Sequence, residues 1–250
     1  AKRDEMRIRF TNLTNWLLEG TIDFDFISES DILTQDLKAT DKLTVGKMTY
    51  DTVILPAIET IRENTFNILS EFVSNGGNVI ALEKVPDEIN CERSDKLIDL
   101  TKKIKVIPFA ETAVLNALEE DRIISILTEE SKRTTNLIYN YREETENDWL
   151  FIAHKDVKSG IPDRHSCVDV TKKQDIIIII KGEFTPVLYD TINGEIIDIA
   201  YEYKDKNTII KRTIYDKELY NLAFDTAIAN EIPCQTKTMI AGGNDAGAIH

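Results

Sequence analysis

The chain has 250 residues, 42% hydrophobic and 30% charged, with 44 acidic against 30 basic side chains and a formal net charge of −14. Such acidity excludes nucleic-acid binding by phosphate neutralisation, which needs clustered Lys and Arg. The length suits one large domain or two modest ones, and no apolar stretch approaches the ~18 residues of a membrane-spanning helix.

Residues 4–20 (DEMRIRFTNLTNWLLEG) place Met6, Phe10, Leu13, Trp16 and Leu17 at helical spacing, and Gly20 supplies a stop. A short strand at Asp23 to Ile27 is expected next, then a helical turn begun by Ser28 or Ser30. The run TYDTVIL, Thr49 to Leu55, is β-branched at its end and closed by Pro56, as in a buried parallel strand. Residues 63–75 repeat Phe66, Leu69, Phe72 and Val73 on one helical face. Gly76 and Gly77 then end that helix, since Gly adopts the left-handed conformation without a Cβ clash. NVIAL (78–82) reads as the next buried strand, followed by a helix at 93–102, a strand at 104–107 and a helix at 111–119. This alternation predicts an open parallel sheet covered on both faces.

After residue 134 the rhythm changes to short runs of β-formers: NLIYNYRE, WLFIAHK, CVDV, DIIIIIKGEF, PVLYDTI, GEIIDIAYEY and NTIIKRTI. The longest apolar run, Ile176 to Ile180, reads as a buried strand, and the pair Asn193-Gly194 marks a hairpin with a type I′ turn. Strands of this length and spacing predict an antiparallel sandwich or jelly roll. From Asp216, YDKELYNLAFDTAIANEIP is expected to be helical, with Leu219, Leu222, Ala223 and Ala227 on one face, before a Gly-rich tail. The start at Ala1 without a signal-peptide core, and the stop at His250 inside that tail, lead to the expectation of a cytoplasmic fragment cut at both ends.

The stretch YDTVILPAIETIRENTFNILSEFVSNGGNVIALEKVPDEI resembles the amidotransferase-like domain that follows the catalytic barrel in glycoside hydrolases of the α-L-rhamnosidase-like kind. The strands NLIYNYREETENDWLFIAHK and KGEFTPVLYDTINGEIIDIAYEYKDKNTII look like the β-sandwich that comes next in them. The resemblance implies an α/β, flavodoxin-like (class I amidotransferase-like) domain over residues 1–133 and a jelly-roll-like β-sandwich over 134–213. It also implies that the catalytic carboxylates belong to a barrel absent from this chain. An amidotransferase would need a Cys nucleophile on a tight strand-to-helix turn. The turns after Leu55 (PAIETI) and Leu82 (EKVPDEI) carry none, and Cys91 follows DEIN rather than a strand.

A second resemblance covers residues 214–250. Their helix and the run Gly242, Gly243, Asn244, Asp245, Ala246, Gly247 are similar to the segment of dinuclear-metal aminopeptidases (the glutamyl aminopeptidase and tetrahedral peptidase family) that ends in a Gly-Gly-(Thr/Asn)-Asp-Ala loop. The resemblance implies a substrate-adjacent loop at Gly242, Gly243, Asn244 and Asp245. The metal ligands of that family have no counterpart in this sequence. Zinc or cobalt would enter only if other residues supplied them.

The remaining constellations carry less chemistry. Cys91, Cys167 and Cys234 show no CxxC spacing and read as reduced thiols. His154, His165 and His250 form no HxxxH, HExxH or HxH and read as surface or core histidines. Glu143, Glu144, Glu146 and Asp148 could pair as glycosidase carboxylates, but their place between two runs of β-formers favours a solvated hairpin. Trp149, Tyr139 and Tyr141 could stack on sugars, although strand alternation favours core or sheet packing. The expected function is therefore a non-catalytic accessory or assembly region of a glycoside hydrolase. Its partners would be the missing N-terminal barrel and, in a homo-oligomer, further copies, with no nucleic acid and no membrane. No catalytic or metal-ligating residue and no cofactor is assigned. The alternatives are an aminopeptidase fragment or an unnatural fusion of the two.

Overall fold

The computed structural model describes residues 2–30, 32, 34–145, 147–154, 173–190, 194–215 and 220–225. It divides into two compact units, Ala1–Leu17 with Ile22–Arg122, and Leu18–Thr21 with Ile123–His250. No helix among the described residues is long and apolar enough to cross a membrane.

The first unit opens with α1 (Lys2–Glu19) and a meander of β1 (Leu37–Ala39), β2 (Leu43–Val45) and β3 (Met48–Tyr50). Then come β4 (Thr52–Leu55), β5 (Thr60–Ile61), α2 (Glu63–Ser74), β6 (Asn78–Leu82), β7 (Glu88–Ile89), β8 (Glu92–Arg93), α3 (Leu97–Thr101), β9 (Lys105–Ile107) and α4 (Glu111–Ala117). Strands β4, β6 and β9 form a parallel sheet in that order, while β5, β7 and β8 make a smaller one. The central strand β6 is buried on both sides, which accounts for its unbroken apolar sequence. Val79 and Ala81 join a core with Leu69 and Phe72 of α2 and Leu97 and Leu100 of α3. Ile80 and Leu82 join another with Leu13 and Leu17 of α1, Val114 of α4 and Leu118. Helices thus cover both faces. Among the described residues the three parallel strands follow chain order. A parallel sheet between helices is the description that holds.

Helix α2 ends as its glycines predict. Gly76 has φ +93°, its N–H donates to Val73 O, and Gly77 N–H donates to Phe72 O at 2.9 Å, the paired bonds of a Schellman cap. Helix α1 differs from expectation in two ways. Its apolar stripe is buried only at Leu13 and Leu17, whereas Met6 and Phe10 are each 48% exposed, and Phe10 packs on Phe26 at 4.8 Å. Its left-handed terminal residue is Thr21 (φ +52°) rather than Gly20, and Ile22 N–H closes the cap on Leu17 O. A β-branched residue rarely adopts this conformation. Within the second unit Arg133 donates to Gly20 O and to Thr21 Oγ1, which fixes the turn. The expected strand at 23–27 is absent, because these residues pair with no ladder.

The second unit contains β10 (Ile124–Thr128), β11 (Leu137–Glu143), β12 (Asn147–His154), β13 (Lys173–Lys181) and β14 (Thr185–Asp190). After them come β15 (Glu195–Asp198), β16 (Tyr201–Lys204), β17 (Asn207–Tyr215) and β18 (Tyr220–Asp225). Two antiparallel sheets, β10-β13-β17-β16 and β11-β12-β18-β14-β15, enclose one core. Ile124, Ile126, Ile176, Ile178, Ile180, Ile210 and Ile214 come from the first sheet, and Leu137, Leu150, Ile152 and Leu188 from the second. The run Ile176 to Ile180 is not buried throughout: Ile177 and Ile179 lie half-buried on the opposite face.

Three expectations change here. Segment 220–225 is a strand between β12 and β14, not a helix; the rest of the expected C-terminal helix and the Gly-rich tail lie outside the described residues. The run GEIIDIAYEY is two strands in different sheets, because the chain crosses from one sheet to the other at Ile199 and Ala200. The hairpin pairs Asp190 with Glu195, so four residues separate β14 from β15 instead of two; Gly194 is left-handed (φ +72°), while Asn193 lies outside the described residues.

Candidate functional site

In open parallel sheets, ligands bind beyond the carboxyl ends of the strands. Here those ends are Leu55, Leu82 and Ile107, followed by Pro56, Glu83 and Pro108. Each continues through a bond spanning two residues: Ile58 N–H to Pro56 O, Lys84 N–H to Leu82 O and Ala110 N–H to Pro108 O. The middle turn is the strained one, because its central residue Glu83 has φ +64°. Glu83 N–H also donates to Ile107 O at 2.8 Å, so the ladder between β6 and β9 extends one residue into the turn.

Strain of this kind persists only where the surroundings hold it. Arg9 of α1 supplies the clamp. Its Nη1 donates to Glu83 Oε2, its Nη2 lies 3.1 Å from Glu5 Oε1, and its guanidinium stands 5.2 Å from the centre of the Phe109 ring. Phe109 in turn packs on Trp16 at 4.9 Å. Hydrogen bonding to Glu83 raises the Arg9 pKa above its ordinary value, against a smaller opposing effect of burial. Beside this pair, Lys84 Nζ contacts Glu59 Oε1 at 3.2 Å. The edge therefore carries two ion pairs, Arg9–Glu83 and Lys84–Glu59.

Cys91 lies elsewhere. With Asn90 it forms the exposed turn between β7 and β8, both residues having positive φ (+53° and +67°), and its N–H donates to Thr60 Oγ1. Contrary to the sequence reading it does follow a strand, the two-residue β7, but the turn leads to another strand and not to a helix.

The acidic run sits where a hairpin was expected. Glu143 of β11 pairs with Asp148 of β12, Glu143 and Glu144 are exposed, and Glu146 lies outside the described residues. Tyr139 and Tyr141 pack against the sandwich core, and the Tyr141 hydroxyl donates to Asp148 Oδ2 at 2.8 Å. Trp149 is half-buried against Tyr189 with ring centres 5.2 Å apart. All three are half-buried. Gly242, Gly243, Asn244 and Asp245, together with Cys167, Cys234, His165 and His250, lie outside the described residues. Among the described residues no three His, Cys, Asp or Glu side chains converge as a metal-ligand set.

The sequence reading missed Glu83 and Arg9. The available signal was a charged pair, Glu83-Lys84, placed directly after a buried strand with no Gly or Asn to ease the turn.

A second polar cluster in this unit joins Tyr50 to Asp25, the hydroxyl donating to Oδ2 at 2.8 Å. Burial, then the bond to Asp25, pushes the Tyr50 phenol from 10.0 up to about 12. The folded chain thus holds a proton that the unfolded chain releases near 10, so this contribution to stability is complete below pH 10 and is lost as pH rises towards 12. Urea denaturation at stepped alkaline pH should show a loss of stability in that interval that shrinks in Tyr50→Phe. An unchanged slope in the variant would remove Tyr50 as its source.

The fold is thus a parallel sheet between helices in one unit and an antiparallel sandwich in the other. No protein-family model matches the sequence, and no curated protein matches it. Solved structures do match. A rhamnosidase from Novosphingobium sp. PP1Y superposes with a TM-score of 0.55 at 14% identity, over 84% of this chain and 20% of the rhamnosidase. Alpha-L-fucosidase isoenzyme 2 from Paenibacillus thiaminolyticus gives 0.53 at 9% identity, over 86% of this chain and 44% of the fucosidase. The chain thus spans between a fifth and less than half the length of these glycoside hydrolases, and what it shares with them is the fold of a region.

Proposed function

We propose that this chain is a non-catalytic accessory region of a carbohydrate-acting hydrolase. In this reading the first unit stands for the flavodoxin-like, amidotransferase-like domain of such enzymes and the sandwich for the jelly-roll-like domain beside it. The chemistry belongs to a barrel outside this sequence, which is the principal partner. The observation that carries the reading is Glu83. It sits at the strained turn that ends the central parallel strand, where its carboxylate pairs with Arg9, and this supports a structural role. Likeness to part of two glycoside hydrolases supports the carbohydrate context.

The test is an activity panel on the purified chain. Aryl glycosides, glutamine and aminoacyl anilides with added Zn²⁺ or Co²⁺ are all expected to remain unhydrolysed. Glycoside cleavage abolished by Glu143→Gln, or ammonia release from glutamine abolished by Glu83→Gln, would overturn the non-catalytic reading. Metal-dependent release of an amino acid, lost in Asp245→Ala, would move the chain to the aminopeptidases.

A further inference from the structure

Strands β15 and β16 are neighbours in the chain but, among the described residues, form the edges of opposite sheets. Directly paired residues on antiparallel strands face the same side of the sheet. Tyr201 pairs with Ile210 and Tyr203 with Thr208, and both partners are 0% exposed. The two tyrosines therefore sit on the core-facing side of β16, yet they are 45% and 46% exposed. Across the sandwich, Ile197 pairs with the buried Leu188 and is itself 40% exposed. The inner faces of both edge strands are thus open to solvent at this side of the sandwich.

The opening has a firm base. The Thr208 hydroxyl donates to Gly182 O and accepts from Phe184 N–H, each at 2.9 Å, so the polar group opposite Tyr203 is engaged by the backbone. Two phenol faces two residues apart stand about 6.5–7 Å from each other along the strand, the scale of one sugar ring. The exposed area of both tyrosines and Ile197 comes to about 200–300 Å², well short of the ~800 Å² per partner that a stable protein interface needs. Residues 195–206 carry four carboxylates, Glu195, Asp198, Glu202 and Asp205, against two lysines, Lys204 and Lys206. With the net charge of −14, that surround disfavours an anionic polymer and suits hydroxyl groups, which donate to carboxylates.

We infer that the Tyr201–Tyr203 face of β16 is a stacking surface for a neutral sugar, the phenol faces taking the apolar C–H face of the ring. The inference rests on the carbohydrate context of the proposed function and not on the absence of catalysis.

The test is native affinity electrophoresis in gels containing a neutral galactan, a neutral glucan or polygalacturonate. The wild-type chain should be retarded by at least one neutral polymer and not by polygalacturonate. Tyr201→Phe/Tyr203→Phe should keep the retardation, and Tyr201→Ala/Tyr203→Ala should weaken it at least fivefold. The single alanine variants, each about threefold weaker, serve if the double variant fails to fold. No retardation by either neutral polymer, equal retardation of the alanine variants, or preference for polygalacturonate would overturn the inference. So would a wild-type dimer in sedimentation that the double alanine variant dissolves, since a second copy would then occupy the face. A chain that binds a neutral glycan and also cleaves one sinks only the non-catalytic reading, whereas a chain that does neither sinks only this inference.

Discussion

Gly77→Ala is expected to destabilise the first unit by about 3 kcal/mol, the upper end for overpacking a closed core. A Cβ at this position would lie 2.2 Å from both Phe72 Cδ2 and Cε2 and 2.5 Å from Cζ, so something must move. The backbone is held, because Gly77 N–H closes the cap on Phe72 O. The ring is held too, since Phe72 is 0% exposed and belongs to the core with Leu69, Val79, Leu97 and Leu100. Gly76→Ala separates sterics from conformation. An added Cβ there meets nothing within 4 Å, so only the positive φ penalises it, by about 1 kcal/mol. Urea denaturation followed by Trp16 fluorescence in a Trp149→Phe background reads the first unit. If Gly77→Ala costs no more than Gly76→Ala, the Phe72 ring has room to swing away. If the clash stands, Phe72→Leu combined with Gly77→Ala should be less than additive, because the two changes share one space.

The same cap shows why part of the fold could be read from the chain. Two adjacent glycines after a helical apolar stripe leave little choice of ending, and a strand buried on both faces, such as β6, announces itself by continuous apolar residues. Short segments are different. In YNLAFD, Leu222 and Ala223 fit a helix continuing to Ala227, while Tyr220, Leu222 and Phe224 fit the alternation of a strand. Six residues cannot separate the two periods; β12 and β14 decide, by offering backbone partners on both sides. The meander β1–β3 was missed for a related reason, since each of its strands is only three residues long. The candidate site was the least legible part. Arg9 and Glu83 stand 74 residues apart, and nothing local marks Glu83 as left-handed, since Glu carries none of the turn chemistry of Gly or Asn. Likewise, the spacing YEY puts Tyr201 and Tyr203 on one face but does not show that the opposite sheet leaves that face open.

Strand β13 offers the sharpest quantitative check on the sandwich. Ile178→Ala is expected to cost about 3–4 kcal/mol and Ile177→Ala about 1 kcal/mol, although the two residues are adjacent and chemically identical. Ile178 is 2% exposed and stands in register between Ile126 and Ile210, both 0% exposed, so truncation leaves a cavity between two held neighbours. Ile177 faces the other way, between Leu127 and Lys211, where it is half-buried and water can replace the lost methyl groups. Fluorescence of Trp149 in a Trp16→Phe background follows this unit during denaturation. Equal losses for the two substitutions would mean that β13 is covered equally on both faces, as a strand of five consecutive isoleucines suggests when read alone. A large loss at Ile178 only would show that the alternation of faces, and not the apolar run, governs how the sandwich is built.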